Sequence, residues 1–233
     1  MFYAMDPTWI ILLPAILFTI YAQGKVKKAY GYYSRVPCQK GITGMQTARM
    51  ILDRNGMQHV PIEIIPGNLT DNYDPTKDVM HLSEGTANSS SLAAVSIAAH
   101  ESGHAIQDIR EYAFLKLRIA LVPAVNMTAG VSWPLMMIGL ILIGAGNAST
   151  GNLLFNIAVI MFVVVVLFHT VTLPVELDAS KRAMAQMTEL GIIQDDEQAG
   201  SKRVLSAAAM TYVAALATSI MNLIMIFAIR GRN

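Results

Sequence analysis

The chain has 233 residues, 54% of them hydrophobic and only 14% charged, with 17 Lys and Arg against 16 Asp and Glu. A formal net charge of +1 excludes the broad basic field of a nucleic-acid binder, and no local interleaving of basic and aromatic residues supplies one. The single Cys38 excludes an internal disulfide and a cysteine metal cluster, so a metal site would have to be built from His and carboxylates.

Three stretches carry no charge: 7–24, 119–175 and 204–229, the middle one 57 residues long. A bilayer core takes about 20 apolar residues per helix. The outer stretches therefore predict one membrane helix each and the middle one two, joined by a polar hairpin at GAGNASTGN, 144–152. Asp6 precedes the first stretch while Lys25, Lys27 and Lys28 follow it, the reverse of a signal peptide, so an uncleaved anchor with an outer N-terminus is expected. Of the 17 Lys and Arg, eleven fall in 25–118, four in 181–203, none in the hairpin and two, Arg230 and Arg232, at the C-terminus. All but that last pair lie on the expected cytosolic side.

The fold expected is a mainly α membrane protein of about four transmembrane helices with a small α+β cytosolic domain. Its parts are an anchor at 1–24, a cytosolic α+β region at 25–118, two membrane helices at 119–175, a cytosolic helix at 176–203 and a C-terminal membrane helix at 204–233. Within the cytosolic region, 43–55 reads as a short helix with Thr43 as N-cap and Gly56 as its stop. VPIEII (60–65) and DVMHL (78–82) read as two strands, and LTDNYDPTK (69–77) as a loop between them. Asn88 and Ser89 to Ser91 offer N-caps for a helix that meets no proline until Pro123. A further helix follows the long uncharged run, with a kink expected at Pro174 and a break at Gly191.

Inside the helix that opens near Ser91 lies AAHESGHA, 98–105. His100 and His104, four apart, project from one helical face, and Glu101 sits about 100° round from His100. This is the H-E-x-x-H pattern of zinc peptidases, in which the metal acidifies a water and the glutamate takes its proton as general base. The small residues Ala98, Ala99, Gly103 and Ala105 leave room for an ion and for a neighbouring helix. A hydrolytic zinc site needs a third protein ligand and an open position. Two expected membrane passages after His104, the chain returns to the cytosolic side at Glu176, the first charge after the uncharged run, which makes it the candidate third ligand.

AAHESGHAIQD, the later LPVELDASKRA, and the upstream GITGMQTARMILDRNG and LTDNYDP resemble the YugP-type neutral zinc metallopeptidases over nearly the whole chain. The likeness extends more distantly to HtpX-type and CAAX prenyl endopeptidases, which are gluzincin-like. It implies a bacterial, multi-pass integral membrane enzyme of the cytoplasmic membrane, with zinc on His100, His104 and Glu176 and Glu101 as base. Its substrates would be membrane or membrane-proximal proteins. The distant relatives carry an aspartate four residues after the ligand glutamate, which orients a ligand histidine; here that position is Ser180.

Other residues carry two readings each. Asp108, one turn after His104, either orients it or is helix surface. His169, seven before Glu176, either supports the site or meets interfacial water. Arg182 either stabilises an oxyanion or only adds to the inner positive charge. His59 and His81 lack helical partners and are not expected as ligands. The strand residues Val79, Met80, His81 and Leu82 are a candidate edge on which substrate adds as a strand. Two rival readings stay open: an intramembrane protease of the site-2 type, which would use Asp178 as third ligand, and a non-enzymatic scaffold with a closed four-ligand metal site.

Overall fold

The computed structural model describes residues 7–230; Asp6 and Arg232, two of the charges used to orient the chain, lie outside the described residues. The chain forms two compact units, one of Met1–Tyr21, Leu117–Leu173 and Tyr212–Asn233, the other of Ala22–Lys116 and Pro174–Thr211.

A 3-10 turn, Pro7–Leu12, leads into α1 (Leu13–Tyr33), followed by α2 (Gly44–Arg54). Thr43 caps α2 through a capping box with Gln46, and Gly56 takes the left-handed turn beyond its end, as the sequence predicts. Three strands follow, β1 (Ile62–Ile65), β2 (Asn72–Asp74) and β3 (Val79–Ser83). The expected pair of strands is thus three, because β2 forms inside the stretch that reads as loop. Its three residues gain strand geometry from antiparallel pairing with β3, Asn72 opposite His81 and Asp74 opposite Val79. The sheet order is β1-β3-β2, with β1 parallel to β3.

A short α3 (Glu84–Ala87) precedes α4 (Leu92–Ile109), whose N-cap is Ser91. The long helix expected to run on towards Pro123 is interrupted: α4 stops at Ile109, Glu111 adopts φ 53°, and α5 (Ala113–Ala129) begins anew with Pro123 inside it. The Tyr112 amide closes the stop by donating to the Gln107 carbonyl at 2.9 Å. A left-handed Glu has no glycine-like signal in the sequence, so the break is not readable there.

Next come α6 (Ser132–Gly144), α7 (Ala148–Glu189) and α8 (Asp195–Arg230). The hairpin is shorter than 144–152, a turn at 145–147 with Gly146 at φ 87°. Helix α7 runs through Pro174 for 42 residues, and α8 continues from its acidic first turn into the last uncharged stretch. Three helical segments, Thr8–Tyr33, Ala148–Glu189 and Asp195–Arg230, are long and apolar enough to cross a membrane; α5 and α6, bent by 46°, make a fourth if they form one span.

In the apolar unit, Trp133 stacks on Trp9 at 5.7 Å and meets Phe162 edge-on at 5.3 Å, around buried Met136, Phe155 and Ile226. Gly139 and Gly151 bring α6 and α7 together, since a Cβ at Gly139 would stand 2.9 Å from the Gly151 carbonyl oxygen. Large apolar side chains such as Ile10, Leu17, Ile141 and Ile160 point outward. The other unit is built as a soluble domain is: α2, the sheet, α4 and the start of α8 bury Ile51, Leu52, Met80, Leu82, Val95 and Ile192 in one core. Each such side chain contributes roughly 1.5–3 kcal/mol. This second core holds the site.

Candidate metal centre

Helix α4 is buried along nearly all its length, with Ala93, Ala98, Ala99 and Ala105 fully enclosed. Small residues let its backbone approach α7 closely: a Cβ at Gly103 would strike the carbonyl of Ala179. At that crossing, His100 and His104 turn towards α7 with their rings 4.8 Å apart. Glu176, 1% exposed, meets both, its Oε2 lying 3.3 Å from His100 Nε2 and 3.6 Å from His104 Nε2. One ligand atom from each of the three lies within 4.8 Å of the others. Around a tetrahedral zinc with bonds of about 2.0–2.1 Å, neighbouring ligand atoms stand roughly 3.3–3.4 Å apart. The donor set and its spacing fit that ion.

The imidazole orientations have identifiable causes. Gln107, fully buried and one turn beyond His104, directs its amide nitrogen at the Val175 carbonyl (2.7 Å) and at Asp178 Oδ2 (2.9 Å). A carbonyl and a carboxylate only accept, so the NH2 must face them. The Gln107 Oε1 therefore faces His104 Nδ1, at 3.0 Å, and that nitrogen must donate. A neutral His104 is then left with a lone pair on Nε2, aimed at an anionic oxygen. Two acceptors facing each other in a buried site need a cation or an added proton between them, and this is the strongest mark of a metal site in the chain. On the other side, Ser180 Oγ lies 3.2 Å from His100 Nδ1. Ser180 thus occupies the place where the distant relatives' aspartate is expected to orient a histidine.

Glu101, 9% exposed, has its carboxyl pushed up to about 7, first by burial and further by the neighbouring charges of Glu176 and Asp71. His100 and a hydrogen bond from the Tyr73 backbone N–H on β2 act in the opposite direction. A carboxyl poised near neutrality is suited to receive and return a proton.

The remaining candidates divide. Asp178 is bound to Gln107 and accepts from Arg182 Nε, so among the described residues it stands outside the three-ligand group. Arg182 also lies over the Tyr112 ring, 5.8 Å from its centroid. Asp108 sits 2.9 Å from Tyr73 Oη, and the position beside His104 is taken by Gln107 instead. His169 belongs to the apolar unit, next to Phe168, and is outside the group. His59 pairs with Asp78 at 3.0 Å, and His81 contacts Asn72 at 3.1 Å; neither belongs to the group.

The substrate edge expected at Val79, Met80, His81 and Leu82 needs correction. These residues form β3, the middle strand, and β1 and β2 already pair with its two sides. Of the two strands that touch α4, β2 and β3, only β2 has an unpaired edge among the described residues. Gln107 has one readable signal in the sequence, its spacing three residues after His104 on the same helical face.

Comparison with known proteins agrees with this geometry. The model of a family described as "Putative neutral zinc metallopeptidase" matches residues 8–231. The chain belongs to this family. It is also 42% identical over 226 residues to the "Putative membrane protease YugP" of Bacillus subtilis (strain 168), covering 96% of this chain and 97% of that protein. No solved structure matches the chain. Membership of the family and the His-His-Glu group at 100, 104 and 176 coincide, and the whole-length match spans both units.

Proposed function

We propose that the protein is a membrane-embedded zinc endopeptidase that cleaves membrane or membrane-proximal proteins from a site on the cytosolic side of a bacterial cytoplasmic membrane. The observation that carries the reading is the convergence of His100, His104 and Glu176 at 3.3 and 3.6 Å, with His104 oriented so that its free lone pair faces the same point. Zinc, when bound by these three, supplies a Lewis acid that acidifies water and polarises a carbonyl. Glu101 takes the proton of the attacking water on its carboxylate and delivers it to the leaving amine. Its burial keeps that proton affinity near neutral, and the Tyr73 N–H holds one carboxylate oxygen in place. Gln107 and Ser180 hold the imidazoles so that each Nε2 is presented as a ligand. Substrate adds in extended form along the β2 side of the sheet, next to α4. The cytosolic assignment rests on the fifteen Lys and Arg in 25–118 and 181–203.

Three protein donors, with no fourth His, Cys, Asp or Glu in the group among the described residues, favour an open catalytic site over a closed structural one. The test uses the full chain purified in detergent. Wild type is expected to carry about one zinc and to cleave β-casein or a fluorogenic peptide. Glu101→Gln should retain zinc while activity falls by about 10²–10⁴-fold, the usual weight of a general base. Undiminished cleavage by Glu101→Gln overturns the enzymatic reading.

A further inference from the structure

Away from the metal centre, the same unit contains a cavity of about 520 Å³ between the C-terminal half of α1 and the beginning of α8. Lys25, Lys28 and Arg203 line it, with no carboxylate in the lining among the described residues. Lys25 and Lys28 are three residues apart on α1 and so lie one above the other. Arg203 is drawn to the α1 side by Tyr33, whose Oη accepts from its Nη1 at 3.4 Å. Close approach at this seam depends on Gly200, where a Cβ would stand 2.9 Å from Tyr33 Cε1. Ala207 and Met210 line the cavity further along α8, and the exposed Tyr32 lines its α1 side.

The sequence positions give the level of this cavity. Lys25 is the first charge after the uncharged stretch 7–24, and Arg203 is the last before the uncharged stretch 204–229. On α8 the lining passes from Arg203 into the apolar stretch, while on α1 it begins at the boundary residue Lys25 and runs on along the charged side to Tyr33. A ligand matched to it carries negative charge for the three cations and hydrocarbon for Ala207, Met210 and the apolar stretch that follows them on α8.

We propose that this cavity binds the headgroup of an anionic phospholipid, with its phosphate against Lys28 and Arg203 and Tyr32 at the interface. The site rests on the reading that α1 and α8 cross the bilayer, and it is separate from the metal centre and its chemistry. A lipid held there would tie α1 to α8 at the membrane surface, where Gly200 has brought them together.

Native mass spectrometry of the full chain, released from detergent after incubation with phosphatidylglycerol or phosphatidylcholine, tests this. One tightly held phosphatidylglycerol is expected, with phosphatidylcholine lost at much lower collision energy. Each interfacial cation is worth about fivefold in binding an anionic surface. Lys28→Gln with Arg203→Gln should therefore lower retention on the order of tenfold or more. Lys27→Gln with Lys202→Gln removes the same charge from the same helices outside the cavity and should leave retention intact; equal loss in both pairs means general surface charge and overturns the site. Ser206 also lines the cavity; Ser206→Trp fills it without removing a cation and should also abolish retention, which keeps the test valid if the charge variant misfolds. Equal retention of the two lipids, or competition by inorganic phosphate alone, overturns the proposal. A chain that stays soluble without detergent overturns instead the reading that α1 and α8 cross the bilayer.

Discussion

The two histidines of α4 sit one turn apart and face the same carboxylate, yet they are held differently. His104 is fixed by Gln107, which is fixed in turn by two groups that can only accept, the Val175 carbonyl and Asp178. His100 is met by Ser180, whose hydroxyl can donate or accept and can rotate. The first support dictates a tautomer; the second tolerates either. If the proposed zinc binds here, His104, backed by such a network, would be preorganised before the ion arrives, whereas His100 would be ordered in part by the ion.

That difference can be tested by removing each part. The largest effect is expected from Glu176→Ala, which deletes the oxygen common to both histidines: zinc should no longer co-purify and activity should vanish. Asp178→Ala should still carry zinc, because Asp178 holds Gln107 and Arg182; the opposite pattern in metal analysis would support an Asp178-based site of the site-2 type. Gln107→Ala should weaken zinc binding about 10–100-fold, the usual cost of losing a partner to a metal-bound histidine. Zinc titration against a fluorescent chelator would show it.

Gly103→Ala acts on both histidines by placing a methyl against the Ala179 carbonyl. Overpacking of this kind costs about 1–3 kcal/mol, visible as a lower unfolding temperature in detergent, with zinc binding weakened at both histidines alike. Ser180→Ala should have the smallest effect, near the lower end of the 10–100-fold range or below it. If Ser180→Ala proves as costly as Gln107→Ala, the asymmetry between the two histidines is wrong.

Much of the site was legible because its parts obey local rules. His100, Glu101 and His104 are related by helical periodicity alone, and small neighbours announced a close helix crossing. Glu176 is 72 residues from His104 and could be chosen only through charge and the counting of membrane passages. Ser180 was legible as a position, four residues after Glu176, and the structure gave it a partner. Gln107 is legible only by its spacing from His104, because a glutamine on a helix face carries no metal signal of its own.

Two parts are not readable from local signals, one fixed by a distant partner and one by an unusual backbone conformation. Strand β2 lies in a turn-rich stretch whose residues become a strand through β3, and its presence moves Val79–Leu82 from edge to centre. The end of α4 at Ile109 uses no Gly or Pro; a left-handed Glu111 is accepted there at a modest cost. Hydrophobic length and spacing along one helix were enough to locate the apolar stretches, the segments where basic residues accumulate, the H-E-x-x-H helix and the candidate carboxylate. Tertiary structure alone decided which strand lies beside α4, which nitrogen of His104 is protonated, and that Lys25, Lys28 and Arg203 share one cavity. The last two depend on the close approach of segments far apart in the chain, made possible by the missing side chains of Gly103 and Gly200.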